Sequence, residues 1–209
     1  MQYQTRQGQF KLELQNCSGK LKTGKLFTTR SLKEEIELIY KGENIDGYDY
    51  SMEFNFEVAN NMDEVKDSDH LVVFADVTEP GGNEIFGSTN QLGGRVLFVS
   101  AARFEKKPWG APDGSKTVAH ELGHLLNLPH VTGGVFSGNY LNLMHEVPES
   151  YIDAKSVSAD QFQAIAKSYH NGFLNNGANH DANGMPLVGS ARGIIWSGDA
   201  ISRRKKPKK

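Results

Sequence analysis

HELGHLLNLPH, residues 120–130, places histidines at offsets of 0, 4 and 10. On an α-helix each residue advances about 100° and rises about 1.5 Å. His120 and His124 therefore fall about 40° apart in azimuth and about 6 Å apart along the axis, so both imidazoles face one point. Val118, Ala119, Leu122, Leu125 and Leu126 gather on the opposite side, as in a helix whose back packs into a core. Glu121 stands beside the histidine pair, about 100° from His120. His130 lies six residues past His124 and cannot share that helical face. It approaches the pair only if the helix stops and the chain turns back. Asn127 tolerates a left-handed backbone and Pro129 cannot extend a helix, so the sequence supplies that turn.

Two imidazoles aimed at one point form a donor pair for a metal ion. Zinc takes four nitrogen, oxygen or sulfur donors, and a catalytic site keeps one position for water, so a third protein ligand is required. His130 is the first candidate. Glu146 and Glu149 are rivals, although a carboxylate ligand of this kind normally sits on a helix and MHEVPES (144–150) contains a proline. His145 is a further rival, read more simply as an exposed loop residue.

The rest of the chain bounds the answer. Its 209 residues suffice for one domain, or one domain with a tail, and for a sizeable core. A formal net charge of -2 gives no bias toward nucleic acid or anionic membrane. The lone cysteine, Cys17, cannot form an intramolecular disulfide, and LQNCSGK shows no sign of an activated thiolate. No apolar run reaches the ~20 residues of a membrane-spanning helix, and the first residues lack the core of a signal peptide.

Outward from 120–130, the periodicities predict strand, helix, three strands, helix, loop and helix, the order of an α/β or α+β domain. QFKLELQ (9–15) alternates as a strand and pairs with KLF (25–27). SLKEEIELIYKG (31–42) reads as a helix with Ser31 and Glu34 as a capping box. YSMEFNFEV (50–58) reads as a half-buried strand, HLVVFADV (70–77) as an interior strand, and RVLFVSAARF (95–104) as another strand after a Gly-rich loop. The histidine helix takes Asp113 or Ser115 as its cap. Residues 131–157 show no period and read as ordered loop. SADQFQAIAKSYHNG (158–172) is a helix with a Ser158/Gln161 capping box and Gly172 as its stop. From 174 the chain reads as a weakly structured extension ending in RRKKPKK, with GIIW (193–196) docking on the body.

HELGHLLNLPH resembles the zinc-binding signature HExxHxxGxxH of the metzincin metalloproteases, departing from it only in Asn127 for Gly. That family carries a methionine turn downstream, and NLMHE (142–146) puts Met144 fourteen residues after His130. The likeness is fullest over 70–170. It implies an α+β domain with a twisted mixed sheet packed on the active-site helix and a C-terminal helix after the methionine turn. The expected domain spans 1–173, with 174–209 as an extension. By the same resemblance His120, His124 and His130 hold one zinc ion as neutral imidazoles, the ion brings a bound water to a pKa of about 7, and Glu121 is the general base. Met144 is then a structural floor. Some members place a tyrosine two residues after that methionine; here Glu146 stands there, and Tyr140 and Tyr151 are the candidates to replace it. An extended peptide is expected to add to the sheet edge, for which RVLFVS (95–100) is the candidate.

The expected activity is zinc-dependent endopeptidase action on a peptide or protein substrate, with neither nucleic acid nor a membrane span involved. The family resemblance favours a secreted or exported setting. Three other readings stand beside it: a catalytically silent zinc-binding module that holds a peptide, a gluzincin-type peptidase using Glu146 or Glu149, and an effector or toxin domain. Glu121 argues against the silent module, because a degenerate relative is expected to lose its base. ENIDGYDY (43–50) and HDANG (180–184) have oxygen-rich spacing suited to calcium, but neither matches a full calcium loop and solvated turn is the simpler reading.

Overall fold

Two strongly apolar runs, HLVVFADVT and VLFVS, become neighbouring strands at the centre of a mixed sheet. The structure, a computed structural model, describes residues 8–16, 29–41, 44–45, 48–49, 52–59, 62–78, 85–100, 114–132, 141–145, 156–182, 184, 186–187 and 195–197. Its strands are β1 (Gly8–Asn16), β2 (Asn44–Ile45), β3 (Tyr48–Asp49), β4 (Met52–Ala59), β5 (His70–Thr78), β6 (Gly87–Thr89), β7 (Val96–Ser100) and β8 (Ile195–Ser197). Its α-helices are α1 (Thr29–Ile39), α2 (Gly114–Leu125) and α3 (Ala159–His170).

Strands β4, β1, β5 and β7 run parallel in that spatial order. A parallel neighbour requires a crossover, and α1 supplies the one between β1 and β4. β6 lies antiparallel to β7, and β8 lies antiparallel to the last residues of β5, with Val77 opposite Trp196. Helices on one face and loops on the other explain why β5 reads as a continuous apolar run instead of an alternating one. Val72, Phe74, Leu97 and Val99 face a core shared with Leu32 and Ile36 of α1, Val118 and Leu122 of α2, and Phe162 and Ile165 of α3. Leu71, Val73, Val96 and Phe98 point the other way, onto Met62, Val65, Ile85 and Leu187. Each such side chain contributes about 1.5–3 kcal/mol on full burial, and β5 and β7 contribute on both faces. The outer strand β4 is tied to α1, where the Phe54 amide donates to Glu37 Oε1 at 3.2 Å.

Several boundaries differ from the sequence reading. α1 begins at Thr29, so Ser31 is an interior helical residue and not the N-cap; nothing in Thr29 or Arg30 bars the helix from extending back. Ser115 likewise lies inside α2, which leaves Asp113, outside the described residues, as the remaining candidate cap. The α3 capping box is present: Gln161 N donates to Ser158 Oγ and Ser158 N donates to Gln161 Oε1. Gly172 follows with φ of 71°, the left-handed stop that glycine accommodates.

RVLFVS is not a sheet edge. The Gly-rich stretch before it contains β6, which pairs Ser88 with Phe98 and covers that side of β7, making β6 the edge among the described residues. Residues after α3 also pack on the body. Asn176 N donates to Gly93 O at 2.8 Å, and the fully buried Asn179 donates through Nδ2 to Lys66 O and Asp69 O at 2.7 and 2.9 Å. Of the two oxygen-rich stretches, 43–50 contains the β2–β3 hairpin and 180–184 contains a turn in which Gly184 N donates to Asp181 O. KLF (25–27), Cys17 and RRKKPKK lie outside the described residues. No described helix is long and apolar enough to cross a membrane.

Candidate metal centre

Helix α2 is buried along nearly its whole length, and its back, Val118, Ala119, Leu122 and Leu125, joins the helix-side core. The helix ends where the sequence says it must. Asn127 has φ of 65°, Asn127 N donates to His124 O and Leu128 N donates to Gly123 O, both at 2.9 Å. That hydrogen-bond pair is the Schellman motif, with Asn in the position glycine usually takes. The chain then reverses through Pro129 and delivers His130 to the histidine face.

Three ring nitrogens meet there. His130 Nε2 lies 3.1 Å from His120 Nε2 and 3.0 Å from His124 Nε2. A tetrahedral ion with Zn–N bonds of about 2.0–2.1 Å holds its donors about 3.3–3.4 Å apart; the two separations from His130 come within a few tenths of an ångström of that, and the three ligand atoms all lie within 4.8 Å of one another. Among the described residues the trio is the group of His, Cys, Asp or Glu able to hold a metal.

The outer ring nitrogens fix which lone pairs face inward. His120 Nδ1 lies 2.7 Å from Leu143 O, and His124 Nδ1 lies 2.7 Å from Leu128 O. A carbonyl only accepts, so each Nδ1 carries the proton and, in the neutral ring, each Nε2 presents its lone pair. Both lone pairs are aimed at His130 Nε2, which can donate one proton at most. At least one of the two short contacts would then set lone pair against lone pair, whereas a cation between the three nitrogens satisfies all of them. Burial, then the neighbouring His124, lowers the His120 pKa to about 3, with the Leu143 carbonyl pulling the other way. The ring is therefore neutral at ordinary pH, the form that ligates metals.

The support beneath the rings comes from 141–145. Met144 is fully buried, and a Cβ placed on Gly123 would come within 2.2 Å of its sulfur. The glycine of HELGH thus admits the methionine against the helix. Asn142 builds the turn: its Oδ1 accepts from Met144 N at 2.9 Å, and its amide pairs with Gln161 of α3 through bonds of 2.8 and 3.1 Å. Leu143, between them, presents the carbonyl that orients His120. Tyr40 reaches in from the end of α1 and donates its hydroxyl to Ala119 O at 2.7 Å. Burial, and secondarily the Glu121 carboxylate, push that phenol well above its usual range. Glu121 is buried against the edge strand, its Oε1 2.9 Å from where a Gly87 Cβ would stand.

His120, His124 and His130 are thus brought together, Glu121 lies beside them on the same helix, and Met144 packs against Gly123 of that helix. His145 is buried, not exposed as the sequence suggested, because it pairs across a bridge to Val131 and its amide donates to Asn142 O. Tyr140, Tyr151, Glu146 and Glu149 lie outside the described residues. Sequence reasoning missed the positioning roles of Asn142, Gln161, Gly123 and Tyr40. Gln161 was visible only as a helix cap, Gly123 only as an x of the signature, and Tyr40 only as part of the 31–42 helix.

No family model matches this sequence, and no curated protein matches it. Among solved structures, the chain is similar to archaemetzincin from Methanopyrus kandleri, with 18% identity, coverage of 77% of this chain and 96% of that one, and a TM-score of 0.49. It is also similar to metalloproteinase-II from Bacteroides fragilis, with 14% identity, coverage of 76% and 52%, and a TM-score of 0.49. The chain spans about half the length of the Bacteroides protein.

Proposed function

We propose that this chain is a zinc-dependent endopeptidase of metzincin type. The reading is carried by the three Nε2 atoms of His120, His124 and His130, two of them with Nδ1 held by backbone carbonyls so that their lone pairs face inward. Zinc bound there supplies Lewis acidity, polarising a scissile carbonyl and acidifying water. The chain's own residues do the rest. Glu121, one helical step from His120 and buried beside β6, accepts the proton of the attacking water at its carboxylate and returns it to the leaving amine. The outer edge of β6 offers backbone donors and acceptors to an extended peptide, which would lie alongside the strand that packs on Glu121. Met144, seated on Gly123, keeps the rings from sinking into the core.

The competing reading is a silent zinc-binding module. The buried Glu121 favours the enzyme, since a carboxylate in that position costs desolvation and a binding module has no use for it. Cleavage of a proteome-derived peptide library decides between them. The enzyme reading expects hydrolysis that a chelator abolishes, zinc restores, and Glu121→Gln eliminates while about one zinc per chain is retained. Stoichiometric zinc without cleavage of any peptide would establish the silent module instead.

A further inference from the structure

Asn127 does more than replace a glycine. Its side-chain Nδ2 donates to Ser168 Oγ at 3.1 Å, and Ser168 is buried in α3, forty-one residues further along the chain. A glycine at 127 would permit the same left-handed turn but could make no such bond. The turn it anchors sets two of the three nitrogen donors. Leu128 O, immediately after Asn127, fixes His124 Nδ1; His130 follows two residues later and closes the trio. Ser168 is held in place by the helix end, where Phe173 N donates to Ser168 O at 2.9 Å. α3 also holds the opposite side of the site, because Gln161 grips Asn142 and thereby the carbonyl of Leu143 that orients His120.

We infer that Asn127 is a positioning residue for the metal centre, tethering the turn that carries His124 and His130 to Ser168 on α3. α3 is then a common brace: Gln161 sets the His120 side and Ser168 sets the His124–His130 side. This rests on the zinc reading above and adds to it the reason an asparagine is suited to this turn.

The test is a mutant cycle read by zinc affinity in competition with a chromophoric chelator, with the thermal midpoint of the metal-free protein measured in parallel. Asn127→Gly keeps the turn and removes the tether, and Ser168→Ala removes the same bond from the other side. Each is expected to weaken zinc binding by about three- to tenfold, the range of one ordinary hydrogen bond. The double variant should be no weaker than either single one, because both remove one interaction. Asn127→Asp should restore wild-type affinity, since the Ser168 hydroxyl can donate to a carboxylate and aspartate also tolerates a left-handed backbone. Wild-type zinc affinity in Asn127→Gly, additive losses in the double variant, or a loss confined to metal-free stability would each overturn the inference while leaving the zinc reading intact. A wild-type protein that binds no zinc would overturn the zinc reading and this inference with it.

Discussion

Replacing Gly123 by alanine tests the packing beneath the histidines. The new Cβ would stand 2.2 Å from Met144 Sδ, 3.0 Å from its Cε and 3.1 Å from the Tyr40 hydroxyl. Ordinary contact lies near 3.5–4.0 Å, so the sulfur must retreat by roughly 1.5 Å. Met144 and Tyr40 are both fully buried, so neither can yield into solvent. Overpacking of this kind costs about 1–3 kcal/mol, and the better helix propensity of alanine offsets up to about 1 kcal/mol. The net expectation is a loss of about 1–2 kcal/mol, measured by urea unfolding of the metal-free protein. Zinc affinity should fall as well, because moving Met144 moves its neighbour Leu143, whose carbonyl holds His120. Met144→Ala alone should cost about 2–5 kcal/mol through the cavity it leaves. In the double variant the alanine methyl occupies part of that cavity, so the combined loss should undercut the sum by at least about 1 kcal/mol. Additivity within about 0.5 kcal/mol would mean that Met144 does not rest on Gly123, and the account of the methionine as a floor would be wrong.

Three further outcomes follow from the same geometry. Gly87→Ala would place a methyl 2.8 Å from Glu121 Cγ and 3.0 Å from the Phe98 carbonyl; kcat should fall by on the order of tenfold or more with zinc affinity unchanged, and an unaltered kcat would separate Glu121 from the chemistry. In the metal-free protein, His120 binds no proton in the folded state until pH nears about 3, whereas the unfolded chain protonates it below about 6.5. Stability should therefore fall as pH drops through that window, by up to about 1.4 kcal/mol per unit, and His120→Asn should flatten the dependence. At the alkaline end Tyr40 stays protonated when folded but ionises in the unfolded chain near pH 10, so stability should decline above that pH, and Tyr40→Phe should remove this component of the decline in a pH series of thermal midpoints.

What could be read from sequence was what local periodicity encodes. The histidine helix, its apolar back and its stop at Asn127 all follow from spacings of three and four residues and one left-handed turn. β5 and the α3 capping box were visible for the same reason. β6 was not: GST carries no apolar alternation, and its strand geometry comes from pairing with Leu97, Phe98 and Val99 of β7. The buried state of His145 and the Asn142–Gln161 amide pair were equally hidden, since they depend on a loop folding against a helix about twenty residues away. Tyr40 lies seventy-nine residues from the carbonyl it meets, and no local pattern encodes such a contact.

The hidden contacts share a property that bears on how the site works. The visible motif supplies donors, but every group that aims them is remote or outside the helical repeat: Leu143 O for His120, Leu128 O for His124, and the Asn127–Ser168 bond for the turn that brings His130. Two of those three aiming contacts depend on α3, through Gln161 and Ser168. Transplanting HELGHLLNLPH alone onto another helix would carry Leu128 O with it but lose Leu143 O and the Ser168 tether, so it would reproduce the donor types with only part of their geometry. Metal affinity in this chain should track the integrity of the junction between α2, α3 and the 142–145 turn more closely than the helicity of α2. Variants loosening Gln161 or Ser168 are accordingly expected to weaken metal binding before they unfold the sheet.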